Sequence, residues 1–238
     1  MILFGQWTES GLDQLLRESS RIADTGERIA FLSGQFRGVE YRESTLTGGP
    51  DAPEELVINL EGVDCFTFID YIEAMRLSSS FAGFGENLKR VRYQSGKVSF
   101  ESRNHFFTDW VEFNANLVDD ITKEIGGRKA LAIPKELNVK EDGTYFLQGI
   151  PPRRRTIHSI PPNAVDDPLI GRLGTGDYIG IYSTLQGLDV SHVGILIKSD
   201  EGIYFRHASS VKEYRKVVDQ DFRNYIKNKP GIVVLRPK

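Results

Sequence analysis

Helix-periodic segments fill the first half of this chain and β-rich segments crowd its C-terminal end. No other feature of the sequence restricts the fold as much. The runs Asp177 to Tyr182, Val190 to Ile197, Ile203 to His207 and Gly231 to Leu235 are rich in β-branched and aromatic residues, and turn formers bound them. Ahead of them, apolar residues recur at near-helical spacing over about 9–24 (Leu12, Leu15, Leu16, Ile22, Ala23) and about 26–36 (Ile29, Phe31, Leu32). Leu56 to Leu60 reads as a short strand, and Asp64 caps a helix over about 65–78 with Cys65, Ile69, Ile72 and Met75 on one stripe. Val91-Arg92-Tyr93 and Lys97 to Phe100, around Gln94-Ser95-Gly96, predict a hairpin. Trp110, Phe113, Leu117, Val118 and Ile121 predict a helix over about 109–124, ended by Gly126-Gly127. Helices followed by antiparallel strands indicate an α+β fold, with the N-terminal helices packed on an antiparallel sheet. No Pro/Ser-rich linker divides the chain. Residues 1–238 are therefore expected to form a single domain, with about 128–173, rich in Pro, Gly and Arg, as a loop-rich insertion containing short strands.

The 238 residues are enough to bury a full core, and a net charge of −3 argues against a nucleic-acid surface. No run of about 18 apolar residues is present, so no membrane span is expected. The start, Met1-Ile2-Leu3-Phe4-Gly5-Gln6, lacks the basic region and long apolar core of a signal peptide. One cysteine permits no internal disulfide and leaves the compartment open.

That one cysteine, Cys65 in Val63-Asp64-Cys65-Phe66-Thr67-Phe68, stands at the predicted first turn of a helix. Unpaired N–H groups and the positive end of the helix dipole favour a thiolate there, and a thiolate is a nucleophile. A free cysteine is commonly just a small buried hydrophobe. Packing alone, however, gives no reason for one to follow an Asp at a strand-to-helix junction.

Two histidines lie far downstream, His192 in Ser191-His192-Val193-Gly194-Ile195 and His207 in Arg206-His207-Ala208-Ser209. A single Cys with distant histidines is the pattern of a papain-type cysteine hydrolase. If Ser199-Asp200-Glu201-Gly202 is a hairpin loop, Lys198 pairs with Ile203 and Gly194 faces His207. His192 then lies diagonally across from His207 on one face, at roughly 7–8 Å between backbone positions. A one-residue slip would separate them. Gly194 leaves room for neighbouring rings or a substrate backbone. The chemistry that suits the set is acyl transfer. Cys65 attacks a carbonyl, His192 moves the proton, His207 orients His192, and the Cys65 N–H is an oxyanion donor. Zinc is the rival use of Cys65, His192 and His207, although no close-spaced ligand pair accompanies them.

Several motifs resemble those of the NlpC-type cell-wall hydrolases, a bacterial branch of the papain-like superfamily. They are Tyr41, Asp64-Cys65, Gly176-Asp177, His192-Val193-Gly194-Ile195 and Arg206-His207-Ala208. More narrowly, the chain resembles a subfamily long filed as a domain of unknown function and linked to N-acetylmuramoyl-L-alanine amidase activity. The runs that suggest this are Val57-Ile58-Asn59-Leu60, Ser102-Arg103-Asn104-His105-Phe106-Phe107-Thr108-Asp109-Trp110, Leu188 to Gly194, and His207-Ala208-Ser209-Ser210. The resemblance runs from about residue 27 to the C-terminus. It implies a papain-like fold, Cys65 as nucleophile, His192 as base, His207 as third residue and a Tyr41 hydroxyl near the oxyanion. It further implies substrate contacts from Asp64, Arg103, Asn104, His105 and Ser191, with no metal and no cofactor. Peptidoglycan fragments or muropeptides are the implied partners. The implied reaction cuts the amide between N-acetylmuramic acid, including its 1,6-anhydro form, and L-alanine, in the periplasm or another extracytoplasmic space. A γ-D-glutamyl–diamino-acid endopeptidase and a catalytically inactive cell-wall binding module are the alternatives. Arg42-Glu43-Ser44-Thr45-Leu46 departs from the Gly pairs that broader relatives carry behind the Tyr, which fits the narrower subfamily.

Arg103-Asn104-His105 is a loop edging the cleft on this reading, and otherwise an ordinary loop ahead of core aromatics. Arg153-Arg154-Arg155 reads as a solvated loop, with attraction of stem-peptide carboxylates as its functional alternative. His158 has no assigned role.

Overall fold

The computed structural model describes residues 1–238. In chain order its elements are β1 (Ile2–Leu3), α1 (Glu9–Ser19), α2 (Thr25–Gly34), β2 (Glu40–Tyr41), β3 (Ile58–Asn59), β4 (Gly62–Val63), α3 (Cys65–Arg76) and α4 (Phe81–Arg92). There follow α5 (Phe107–Phe113), β5 (Val118–Asp120), α6 (Thr122–Gly126), β6 (Leu131–Leu137), β7 (Arg153–Ser159) and α7 (Asp167–Arg172). The chain ends with β8 (Tyr178–Tyr182), β9 (Val190–Ser199), β10 (Gly202–Ala208), β11 (Val217–Asp221), α8 (Phe222–Ile226) and β12 (Ile232–Pro237).

A six-stranded sheet in the order β11-β10-β9-β8-β12-β5 organises the molecule, and every pairing in it is antiparallel. Both of its faces are buried. Val193, Ile195, Ile197, Val233 and Leu235 meet Phe68, Ile69, Ile72 and Met75 of α3, together with α1, α2 and α4. The alternate residues Ile179, Ile181, Leu196, Phe205 and Val234 meet Leu169, Ile170, Phe222 and Ile226 of α7 and α8. This double burial explains why β8 and the centre of β9 are apolar at every position instead of alternating.

Two predicted elements are corrected. The expected hairpin over 91–100 is absent. Phe84, Leu88 and Val91 are one buried stripe of α4, which runs through Arg92. Ser95 and Gly96 then turn the chain with φ of 55° and 69°. The predicted helix over 109–124 is broken after Phe113. Asn114 there donates to the Val91 carbonyl at 2.8 Å, and Val118–Asp120 leave the helix to pair with β12. Within 128–173, β6 and β7 form a regular seven-residue hairpin pairing, from Leu131↔Ser159 to Leu137↔Arg153. The β9–β10 loop is shorter than expected, since Ser199 and Gly202 themselves pair, but the register Lys198↔Ile203 is the one read from the sequence.

Beneath α3 lies a buried polar network. Asp70 accepts from Arg92 Nε at 2.8 Å and from Trp110 Nε1 at 3.0 Å, while Arg92 also reaches the Val57 carbonyl at 2.7 Å. It ties α3, α4, α5 and the segment before β3 to one another.

Candidate active site

Cys65 is the first residue of α3. The Asp64 side chain accepts from the Phe66 and Thr67 N–H groups at 3.0 and 2.7 Å, and the Thr67 hydroxyl accepts from the Asp64 N–H at 3.0 Å. This reciprocal capping box fixes the helix start, and with it the direction of the Cys65 side chain. Asp64 is thus a cap whose carboxylate oxygen is already engaged.

The half-buried thiol faces backbone N–H groups of Val193, Cys65 and Phe66, which favour its ionisation. Burial and the neighbouring Asp64 charge act in the opposite direction and prevail, pushing the thiol up to about 12. The helix start alone therefore does not deliver the thiolate expected from sequence. The site can receive Val193 because β9 and β10 pair only as far as Ile195↔Arg206, while β10 continues against β11 to Ala208↔Val217.

Beyond that point His192 and His207 meet. His192 Nε2 and His207 Nδ1 are 2.7 Å apart, and the rings stand at 89°. The diagonal register argument from sequence holds. A Cβ on Gly194 would come within 2.6 Å of the Phe205 ring, so this position admits only glycine without repacking. His207 Nε2 lies 2.7 Å from Gln220 Oε1, on β11. That carbonyl can only accept, so His207 carries its proton on Nε2 and accepts on Nδ1 from His192 Nε2–H. The chain of bonds leaves the lone pair of His192 on Nδ1. Burial, then His207 and Lys229, push His192 down to about 3. Burial outweighs the Gln220 hydrogen bond and pushes His207 down to about 4. Both rings are neutral at pH 7.

Two phenols border the thiol. Tyr41 pairs with Val63 through β2 and β4, and burial, then the charges of Cys65 and Asp64, push it up to about 12. Tyr225 on α8 is raised by burial and then by Cys65. Its ring centroid stands 4.9 Å from His207, 4.6 Å from Phe205 and 6.4 Å from His192. Gln220 and Tyr225 escaped the sequence reading. β11 carries no alternating pattern that would single out Gln220, and α8, a five-residue helix, has no recognisable periodicity.

The remaining expected contacts are engaged structurally. Arg103 binds Glu54 and the Thr47 carbonyl, holding the segment between β2 and β3. Asn104 is buried and donates to the Val91 carbonyl at 3.0 Å. His105 sits 2.7 Å from the Phe100 carbonyl, edge-on to the Phe100 ring, and burial pushes it down to about 4. Ser191 is exposed, with its hydroxyl 3.4 Å from the Ile181 carbonyl. Arg153 and Arg155 are not solvated. Both bind the buried Asp109, at 3.1 and 2.9 Å, while the neighbouring Arg154 points outward.

A thiol that faces the Val193 N–H, one residue along the chain from the first member of a directed imidazole pair, has what nucleophilic hydrolysis of an amide needs. Residues 31–232 match the family described as AmiA-like: N-acetylmuramoyl-L-alanine amidase-like, and the chain belongs to that family. Among solved structures it is similar to a protein from Legionella pneumophila str. Philadelphia 1, with 25% identity, TM-score 0.81, and 96% of this chain and 94% of that one covered. It is also similar to an N-acetylmuramoyl-L-alanine amidase from Bacteroides uniformis ATCC 8492, with 28% identity, TM-score 0.72, and 90% and 99% covered. Among curated proteins none matches. No helix is long and apolar enough to cross a membrane.

Proposed function

We propose that this protein is a cysteine amidase of the NlpC-type, papain-like kind. On this reading it cuts the amide between the lactyl group of N-acetylmuramic acid and L-alanine in soluble muropeptides, including 1,6-anhydro forms, outside the cytoplasm. The observation that carries this reading is the bonded series Gln220–His207–His192, whose last member precedes Val193, the residue whose N–H faces the Cys65 thiol. The family membership and the similarity to a named amidase support the bond assignment.

With thiol and imidazole both neutral at rest, His192 Nδ1 takes the Cys65 proton as Sγ attacks the carbonyl carbon. The carbonyl electron pair moves onto oxygen, where the Cys65 N–H and the Tyr41 hydroxyl can donate. Collapse breaks the C–N bond, and His192 returns the proton to the leaving amine. Water, deprotonated by His192, then hydrolyses the thioester and frees the thiol. His207, bonded to Gln220, keeps His192 in the one tautomer that supports these transfers.

Sugar-linked and sugar-free peptides test the reading. N-acetylmuramoyl-L-Ala-γ-D-Glu-diaminopimelate should release an intact tripeptide, and the sugar-free tripeptide should remain whole. A cut of the latter between D-Glu and the diamino acid would favour the endopeptidase. Activity that EDTA abolishes and zinc restores would favour the metal alternative.

A further inference from the structure

The two phenols beside Cys65 each carry a cation on the ring. The Arg215 guanidinium lies 5.1 Å from the Tyr41 centroid, and Lys229 Nζ lies 5.0 Å from that of Tyr225. The two cations differ in what else they touch. Arg215 has Glu43 at 3.6 Å. Lys229 is half-buried, yet it has no carboxylate partner and its ammonium makes no hydrogen bond; the Tyr225 face is its one specific contact. Arg206, the residue before His207, is committed: it is bidentate to Asp219 at 2.7 and 2.8 Å. One aromatic ring thus separates an uncommitted ammonium from both imidazoles, and its charge helps hold both below their ordinary range.

An ammonium resting on a phenol is held weakly and gains from a charged acceptor, since charge-assisted hydrogen bonds are the stronger interaction. We propose that Lys229 is a substrate-binding residue that pairs with a carboxylate of the stem peptide, the α-carboxylate of the γ-linked D-Glu. The proposal rests on the amidase reading of the site. In that substrate the chain continues through the γ-carbon, so the α-carboxylate of the second residue stays free. Two residues of extended chain place it roughly 7 Å from the scissile carbon, and a charge-assisted hydrogen bond of roughly 3 Å extends that reach to about the path through the Tyr225 centroid from Lys229 to His207, 5.0 Å and 4.9 Å. The role first considered for Arg153 and Arg155 thereby passes to Lys229, because Asp109 and Glu112 already pair with those two.

The test is binding to a Cys65→Ala protein, which does not depend on the bond cut. One ligand is N-acetylmuramoyl-L-Ala-γ-D-Glu-diaminopimelate. The other differs only in carrying D-isoglutamine, an amide in place of that α-carboxylate. With Lys229 the acid should bind about 10-fold or more tighter than the amide. Lys229→Met should bring the ratio close to one, and Lys229→Arg should retain most of it. An equal ratio with Met and Lys, no preference with Lys, or no binding of either ligand would overturn the proposal. Failure of the amidase reading shows separately, as wild-type protein that leaves the sugar-linked amide intact.

Discussion

Cys65 keeps its proton at rest because burial and Asp64 outweigh three backbone N–H groups, with the thiol pushed up to about 12. Alkylation by iodoacetamide should therefore be slow at pH 7 and still rising above pH 9, unlike a free cysteine, whose rate levels off as pH passes about 8.5. A plateau below pH 8 would show a preformed thiolate. His207→Ala should lower kcat by about 10²–10⁴-fold with KM much less affected. Gln220→Leu should lower kcat by about 10-fold or more, since His207 then loses the acceptor that fixes its tautomer. A wild-type kcat in both would remove the series from the mechanism. Cys65, His192 and His207 of the candidate site could be read from the sequence because a capping signal or a turn-bounded strand sets each one off, whereas Tyr41 came only from the family resemblance. Gln220 and Tyr225 could not, because their importance comes from strands and a short helix packing around His207, and no local pattern encodes that. Arg103, Asn104 and His105 tie loops to the core.

At the scale of elements, α3 depends on its cap. Asp64→Ala removes the acceptor for two N–H groups and should cost about 1 kcal/mol, read as a lowered urea midpoint. Activity should fall further than stability, because the cap also aims Cys65. Equal stability in the variant would contradict the capping role. The strands β8, β9, β10 and β12 and the start of α3 were legible because turn formers and a capping signal bound them. The 91–100 and 109–124 segments were misread because Val91 and Val118 are β-branched in either setting. What decided them was tertiary: Asn104 and Asn114 both bond the Val91 carbonyl, ending α5 against α4. The hairpin β6–β7 was hidden by its charge, since Arg153 and Arg155 look solvated until Asp109 is placed opposite them.

Across the whole molecule, stability and chemistry meet in buried polar groups. Asp70→Ala would strand the Arg92 guanidinium in the core, an effect of about 3–5 kcal/mol, seen as a large drop in the urea midpoint. An Asp70→Ala protein as stable as wild type would mean that water or another group takes over. His105, His192 and His207 are all held below their ordinary range, so the unfolded chain binds more protons than the folded one below about pH 6.5. Stability should therefore fall as pH drops from 7 to 5.5, and His207→Gln should flatten part of that slope. The helical first half and the antiparallel C-terminal strands were visible from residue patterns alone, whereas the burial of both sheet faces was not, because α7 and α8 are too short to announce themselves. On the amidase reading Cys65 attacks the N-acetylmuramoyl carbonyl. The most direct test of that attack is intact-protein mass spectrometry after acid quench of the enzyme during turnover of N-acetylmuramoyl-L-Ala-γ-D-Glu-diaminopimelate. The expected result is an adduct of N-acetylmuramoyl mass on Cys65, with the whole tripeptide released. An adduct that also contains L-Ala and D-Glu, or undiminished turnover by Cys65→Ala, would contradict it.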